Sequence, residues 1–147
     1  MNITVAITIA APAEAVWRVI EPIERHVDWM EDAVAIEFAS EQTRGVGTTF
    51  DCRTRVGPFS FTDQMIVTAW EPGRAMGVAH RGIIRGTGEF TLSPSAGPAN
   101  HTCFSWDEAL VLPWWLGGPA GARLVRPALT AIWRRNLRRL KTIAEGA

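Results

Sequence analysis

The chain opens on alternation. In "ITVAITIA", Ile3, Val5, Ile7 and Ile9 fall on one side and Thr4, Ala6 and Thr8 on the other. That period of two is the mark of a half-buried strand. "APAEAVWRVI" then changes to a helical stripe of Val16, Trp17 and Ile20, with Pro12 suited to the first turn and Glu14 to the positive helix end. Pro22 stops it. "IERHVDWM" reads as a second short helix with Ile23, Val27 and Met30 or Trp29 inward.

Six strand-like runs follow. "AVAIEFAS" alternates Val34, Ile36 and Phe38 against Ala35 and Glu37. "GTTFDCRTRV" sets Thr48, Phe50, Cys52, Thr54 and Val56 on one face, and Gly57-Pro58 signals a turn. "FSFTDQMIVTAW" puts Phe59, Phe61, Asp63, Met65 and Val67 together. "EPGR" (71–74) carries Pro and Gly at the central positions of a hairpin turn. "AMGVAH", a break near Arg81-Gly82 and "IIRGTGEFTL" predict another hairpin. After the loop "SPSAGPAN", "HTCFSWDEALVL" is the last strand, with Phe104, Trp106, Glu108 and Leu110 on one face.

From Ala128 onward Leu129, Ile132, Trp133, Leu137, Leu140 and Ile143 form one side of an amphipathic helix, and Arg134, Arg135, Arg138, Arg139 and Lys141 the other. Pro127 either starts this helix or kinks it after a first turn. The predicted order is strand, two helices, six strands, one long helix, in a single domain over 1–147. Helices clustered at the ends of a strand meander define an α+β protein with a curved antiparallel sheet of about seven strands. A curved sheet cannot touch a straight helix along its whole length, so an apolar cavity is expected between them.

Composition narrows the partners. Fifteen Lys+Arg balance fifteen Asp+Glu, so there is no basic field for nucleic acid. The charges are unevenly spread: residues 1–41 hold eight acids and two bases, and 123–141 hold seven bases and no acid. The simplest reading is an acidic helix facing a basic one, or two solvated faces, rather than a phosphate-binding patch, for which no Gly-rich loop or aromatic–basic interleaving speaks. Cys52 and Cys103 lie far apart, and His26, His80 and His101 have no metal-ligand spacing, so neither a disulfide, a metal nor a cofactor is expected. The apolar N-terminus lacks a basic lead and reads as a strand rather than a signal peptide, and no apolar run reaches the ~18 residues of a membrane span. A cytoplasmic setting is the expectation.

The stretches "ITIAAPAEAVWRVI", "HVDWMEDAVAIEF", "WEPGRAM", "GTGEFTLSP", "FSWDEAL" and "IWRRNLRRLKTIAEG", in this order and spacing, resemble the START-like (SRPBCC) superfamily, most of all its polyketide cyclase/dehydrase-like branch. The resemblance covers essentially the whole chain. It implies a helix-grip fold with a deep cavity between sheet and C-terminal helix. Its members bind lipids, polyketides, hormones or quinones as carriers, act as aromatase/cyclases, or work through protein partners. Fold therefore leaves function open.

Three polar residues point inward among apolar ones: Asp63, Glu108 and Asn136. A buried carboxylate must be paired or have a raised pKa, and an unpaired one can act as general acid or base. Asp63 and Glu108 are thus the candidate catalytic groups, provided no β-bulge turns them outward. Asn136 needs a partner, either a ligand or a structural hydrogen bond fixing the helix; the "NL..L" ending shared across the family favours the latter. Candidate ligand contacts are these three together with Phe50, Phe61, Met65, Phe90, Phe104, Trp106, Leu129 and Trp133. Arg81, Arg85 and Arg126 are candidates for a head group but are more simply surface residues, and His80 is read as mostly surface.

"LVLPWWLGGPAGA" (110–122) connects the last strand to the grip helix. Trp114 and Trp115 are placed at one end of the cavity, one inward and one nearer the surface, where they cap the cavity, dock on the helix as core or make transient contact with a membrane. Gly117, Gly118 and Gly121 would let the segment bend as a gate. The chain has no tyrosine, so a tyrosine–arginine arrangement for orienting a polyketide cannot be built. The leading expectation is a carrier or sensor of a small hydrophobic molecule. A cyclase/dehydrase using a pocket carboxylate and a protein-interaction module with a filled interior are the alternatives.

Overall fold

The computed structural model describes residues 1–147. Seven strands form one antiparallel sheet: β1 (Asn2–Ile9), β2 (Ala33–Phe38), β3 (Thr49–Val56), β4 (Phe59–Glu71), β5 (Ala75–Arg81), β6 (Arg85–Pro94) and β7 (Thr102–Val111). Their spatial order is β1-β7-β6-β5-β4-β3-β2. Helix α1 (Ala13–Ile20) and a 3-10 helix (Ile23–Asp28) carry the chain from one sheet edge to the other. The long helix α2 (Gly118–Gly146) lies across the concave face. The α+β helix-grip architecture is the expected one.

Alternation explains most of the strands. Ile3, Val5 and Ile9 are buried on β1, and Phe104, Trp106, Glu108 and Leu110 on β7. The "EPGR" turn closes with Arg74 N–H donating to the Glu71 carbonyl at 2.9 Å, and Gly73 has φ +77°, which that turn position requires.

The departures have local causes. The second short helix is 3-10, so its inward residues recur every three positions: Ile23, His26 and Trp29 are buried, while Val27 is half-buried. A register shift between Ala33 and Ala35 turns Val34 to solvent. Helix α2 begins ten residues before Ala128, at Gly118, and runs through Pro127. Gly118 and Gly121 are therefore helical rather than parts of a bending segment. Gly121 is needed for close approach, since a Cβ there would collide with the Leu116 carbonyl. Gly117 takes φ +93° as it turns the chain into α2.

Leu137, Leu140 and Ala144, on the C-terminal half of α2, are buried in one core cluster with Ile9, Val16, Ile20, Ile23 and Phe104. Burying each large side chain contributes roughly 1.5–3 kcal/mol. Toward the N-terminal half of α2 the sheet curves away, and Val125, Leu129 and Trp133 face open space instead.

Candidate functional site

That open space is a cavity of about 430 Å³ lined by 33 residues, 24 of them hydrophobic. Strands β3 to β7 supply most of its wall, α2 its roof. Trp106 on β7 and Trp133 on α2 both line it and stack on each other, joining sheet to helix with ring centroids 4.7 Å apart and planes 20° apart. Of the expected contacts, Phe50, Phe61, Asp63, Met65, Phe90, Trp106, Glu108, Trp115, Leu129 and Trp133 line the cavity.

Three do not. Phe104 lies on the inward face of β7, but beside Leu92 in the filled end, fully buried with its ring 5.3 Å from Phe90. Trp114 points away from the cavity and is 86% exposed; adjacent residues of the short turn cannot share a side. Asn136 is fully buried, yet its amide is spent on structure: Nδ2 donates to Asp32 Oδ1 at 2.8 Å and Oδ1 accepts from Glu31 N–H at 3.0 Å. Trp133 Nε1 donates to Asp32 Oδ2 at 3.1 Å. Asp32 thus ties α2 to the turn before β2. Burial pushes its carboxyl pKa up, and the bonds from Asn136 and Trp133 oppose that rise.

Asp63 and Glu108 both face inward. The irregularity in β4 lies beyond Asp63, between Val67 and Ala69, and the register of β7 is unbroken through Glu108, so neither side chain is flipped. What joins them is His80, the residue read as surface. Met76, Val78 and His80 share the inner face of β5, while Arg81 is exposed. The His80 ring is 8% exposed, with Nδ1 2.8 Å from Asp63 Oδ2 and Nε2 2.9 Å from Glu108 Oε2. A carboxylate oxygen at each ring nitrogen calls for a hydrogen on each, which makes His80 an imidazolium between two acids. Burial by itself lowers the pKa of His80, but the hydrogen bonds and negative charges of Asp63 and Glu108 outweigh it and raise the value to about 10.

Glu108 is fully satisfied, because its Oε1 accepts from Trp106 Nε1 at 2.9 Å. Its carboxylate sits over Gly88 on β6, where any Cβ would fall inside van der Waals contact of it. Asp63 is only half satisfied: Oδ1 is buried with no hydrogen-bond partner. The three side chains bond to one another rather than converging on a common point, and no group of three or more acidic, His or Cys side chains is placed to hold a metal ion.

Other groups are quieter. His26 also borders the cavity; full burial pushes its pKa down to about 4, and its Nε2 lies 2.7 Å from the Ile20 carbonyl. Burial pushes the Cys52 thiol up to about 11, which makes it a poor nucleophile. Arg81 and Arg85 are exposed and outside the lining, and Arg126 donates to the Asn2 carbonyl at 3.0 Å. The acidic and basic segments meet in part, through Arg135–Glu31 at 2.7 Å and Arg139 donating to the Asp28 carbonyl.

A curved sheet gripping one long helix around an apolar cavity defines the START-like class of proteins. The chain belongs to the family described as polyketide cyclase / dehydrase and lipid transport, whose family model matches residues 1–145. Among solved structures it is similar to a START superfamily protein from Mycobacterium smegmatis, with TM-score 0.76 and 13% identity over 99% of this chain and 97% of that one. It is also similar to a protein from Deinococcus radiodurans, with TM-score 0.70 and 19% identity over 99% and 98% of the two chains. The di-domain ARO/CYC StfQ of the steffimycin biosynthetic pathway matches with TM-score 0.78 and 14% identity; 99% of this chain covers 50% of that one. At these identities the likeness shows the fold alone. No curated protein sequence matches.

Proposed function

We propose that the chain binds one small apolar molecule in the cavity between sheet and α2, as a carrier or sensor. The observation that carries this reading is the cavity itself. Its volume lies within the ~300–1,000 Å³ range of small-molecule sites, and its wall is apolar with one buried polar cluster, close to the usual make-up of such a site. A protein-interaction module with a filled interior does not account for that space.

The rim supports a route in. Phe59, Ile83 and Trp115 line the mouth and remain 65%, 45% and 57% exposed, with Trp114 beside them. Exposed arginines flank this rim: Arg55 on β3, Arg81 and Arg85 paired across the β5–β6 hairpin, and Arg123 on α2. An apolar tip with a basic surround suits brief docking on an anionic lipid surface, where ligand would be exchanged. No helix is long and apolar enough to cross a membrane.

Thermal unfolding with a panel of fatty acids, alcohols, amines, quinones and sterols tests the reading. Ligands of the native state raise Tm with concentration; a flat response across the panel contradicts it.

The Asp63–His80–Glu108 cluster favours a second reading, an enzyme of cyclase or dehydrase type. Both His80 nitrogens and both Glu108 oxygens are engaged, so the one free basic atom is Asp63 Oδ1. That atom would take the proton from a substrate carbon next to a carbonyl. Turnover of a poly-β-keto substrate that disappears in Asp63→Asn supports this reading; turnover unchanged in that variant removes it.

A further inference from the structure

The cavity has an electrostatic sign that its apolar lining conceals. Asp63 and Glu108 together bring two negative charges to the one positive charge of His80. Glu108 has both oxygens filled, so the unshared charge and the unfilled acceptor coincide on Asp63 Oδ1. Asp63 is 8% exposed and borders the cavity, while Oδ1 itself is closed off from water, so the donor it lacks has to come from a molecule held against that wall. A buried acceptor without a donor is costly, and more so when it carries charge.

Nothing else in the wall offsets it. The lining includes Asp32 and Glu89 in addition to the pair, and no lysine or arginine. The Met1 ammonium at the edge is already donating to the Leu110 carbonyl at 2.8 Å. The neutral donors do not reach it either: Trp106 Nε1 is committed to Glu108, and Trp133 Nε1 to Asp32.

We infer that the site takes an apolar molecule whose one polar group is a hydrogen-bond donor, a protonated amine above all and a hydroxyl next, received by Asp63 Oδ1, and that it rejects carboxylates and phosphates. This rests on the cavity being a binding site and adds the head group to it. An ammonium both fills the acceptor and cancels the net charge. A hydroxyl fills the acceptor only. An anion would face Asp63 with no cation to receive it.

Four probes of equal chain length test this: octylamine, octanol, octanoate and octane, each titrated against the tryptophan emission of the full chain at neutral pH. Trp106 and Trp133 report from the cavity wall. The expected order is octylamine, then octanol, then octane, with octanoate weakest and about tenfold or more below octylamine. Asp63→Asn should bring octylamine and octane within about threefold of each other while octane itself is unaffected. Octanoate binding as tightly as octylamine overturns the inference, as does an amine preference that survives Asp63→Asn. Four probes binding alike would leave the cavity as a binding site and remove the head-group assignment. No binding by any of them would remove both. The ladder of probes on the unaltered chain decides the matter even if Asp63→Asn does not fold.

Discussion

Replacing His80 with glutamine removes the cation between two buried carboxylates, and the consequence depends on pH in a calculable way. In the folded chain the His80 pKa stands at about 10, against an ordinary value of 6.5. The gap is about 3.5 units, worth on the order of 5 kcal/mol at ~1.36 kcal/mol per unit. Because the folded value is raised, the native state binds the extra proton. The contribution is therefore complete below about pH 6.5, declines as pH rises, and is gone once pH passes about 10. At pH 6, His80→Gln should lower the unfolding free energy by about 3–5 kcal/mol, the usual cost of breaking a buried ion pair from one side. By pH 10.5 the neutral imidazole no longer compensates the acids, and the two proteins should converge to within about 1 kcal/mol. Urea unfolding followed by tryptophan emission at pH 6, 8 and 10.5 measures this. The alkaline window is unusually clean: the chain has no tyrosine and a single lysine, and burial holds Cys52 at about 11. A difference that stays constant from pH 6 to 10.5, or a His80 ring titrating at or below 6.5 by NMR, would refute the ion cluster.

Three further outcomes follow from other parts of the structure. Asn136→Leu should cost about 3 kcal/mol in urea unfolding, since it strands Asp32 Oδ1 and the Glu31 N–H; a loss under 1 kcal/mol would mean the tie is idle. Gly88→Ala should push the Glu108 carboxylate off His80, lowering both Tm and the NMR midpoint of the His80 ring, whereas an unchanged midpoint would show that Glu108 does not hold it. The double change Trp114→Ser and Trp115→Ser should reduce sedimentation with vesicles containing phosphatidylserine by about tenfold while leaving the helical circular dichroism signal intact; unchanged sedimentation would put membrane contact elsewhere or nowhere.

The fold was legible because its signals are periodic. The apolar residues two positions away place Phe50, Cys52, Phe61, Asp63, Trp106 and Glu108 inward, and a sheet read this way fails only at a bulge, as at Val34. The site was legible only in part, because its chemistry lies in pairings between strands. His80 shares its face with Met76 and Val78, which marks it as inward; only its place opposite Ala79 and Arg81, with Arg81 weighed as a group at the pocket mouth, points it to the surface. That it sits between Asp63 and Glu108 depends on the register of β4, β5 and β7, which no local pattern encodes. Asp32 lies in a turn with no period to read. Gly88 matters through the carboxylate that stands over it from the neighbouring strand. Asn136 announced that it needed a partner, but not which one. The tryptophan pair was recognisable as the end of the cavity, while the extension of α2 back to Gly118 was hidden by Pro119, Pro127 and two glycines, Gly118 and Gly121, all poor helix formers.

Whether the cavity holds a small apolar molecule is decided by blocking it. Val78 is half-buried on the inner face of β5 and lines the space. Calorimetric titration of octylamine into the unaltered chain and into Val78→Trp compares the open and the filled cavity in otherwise matched proteins. One molecule per chain should bind in the first and none measurably in the second, with both proteins folded. Equal binding to the two would place the ligand outside the cavity.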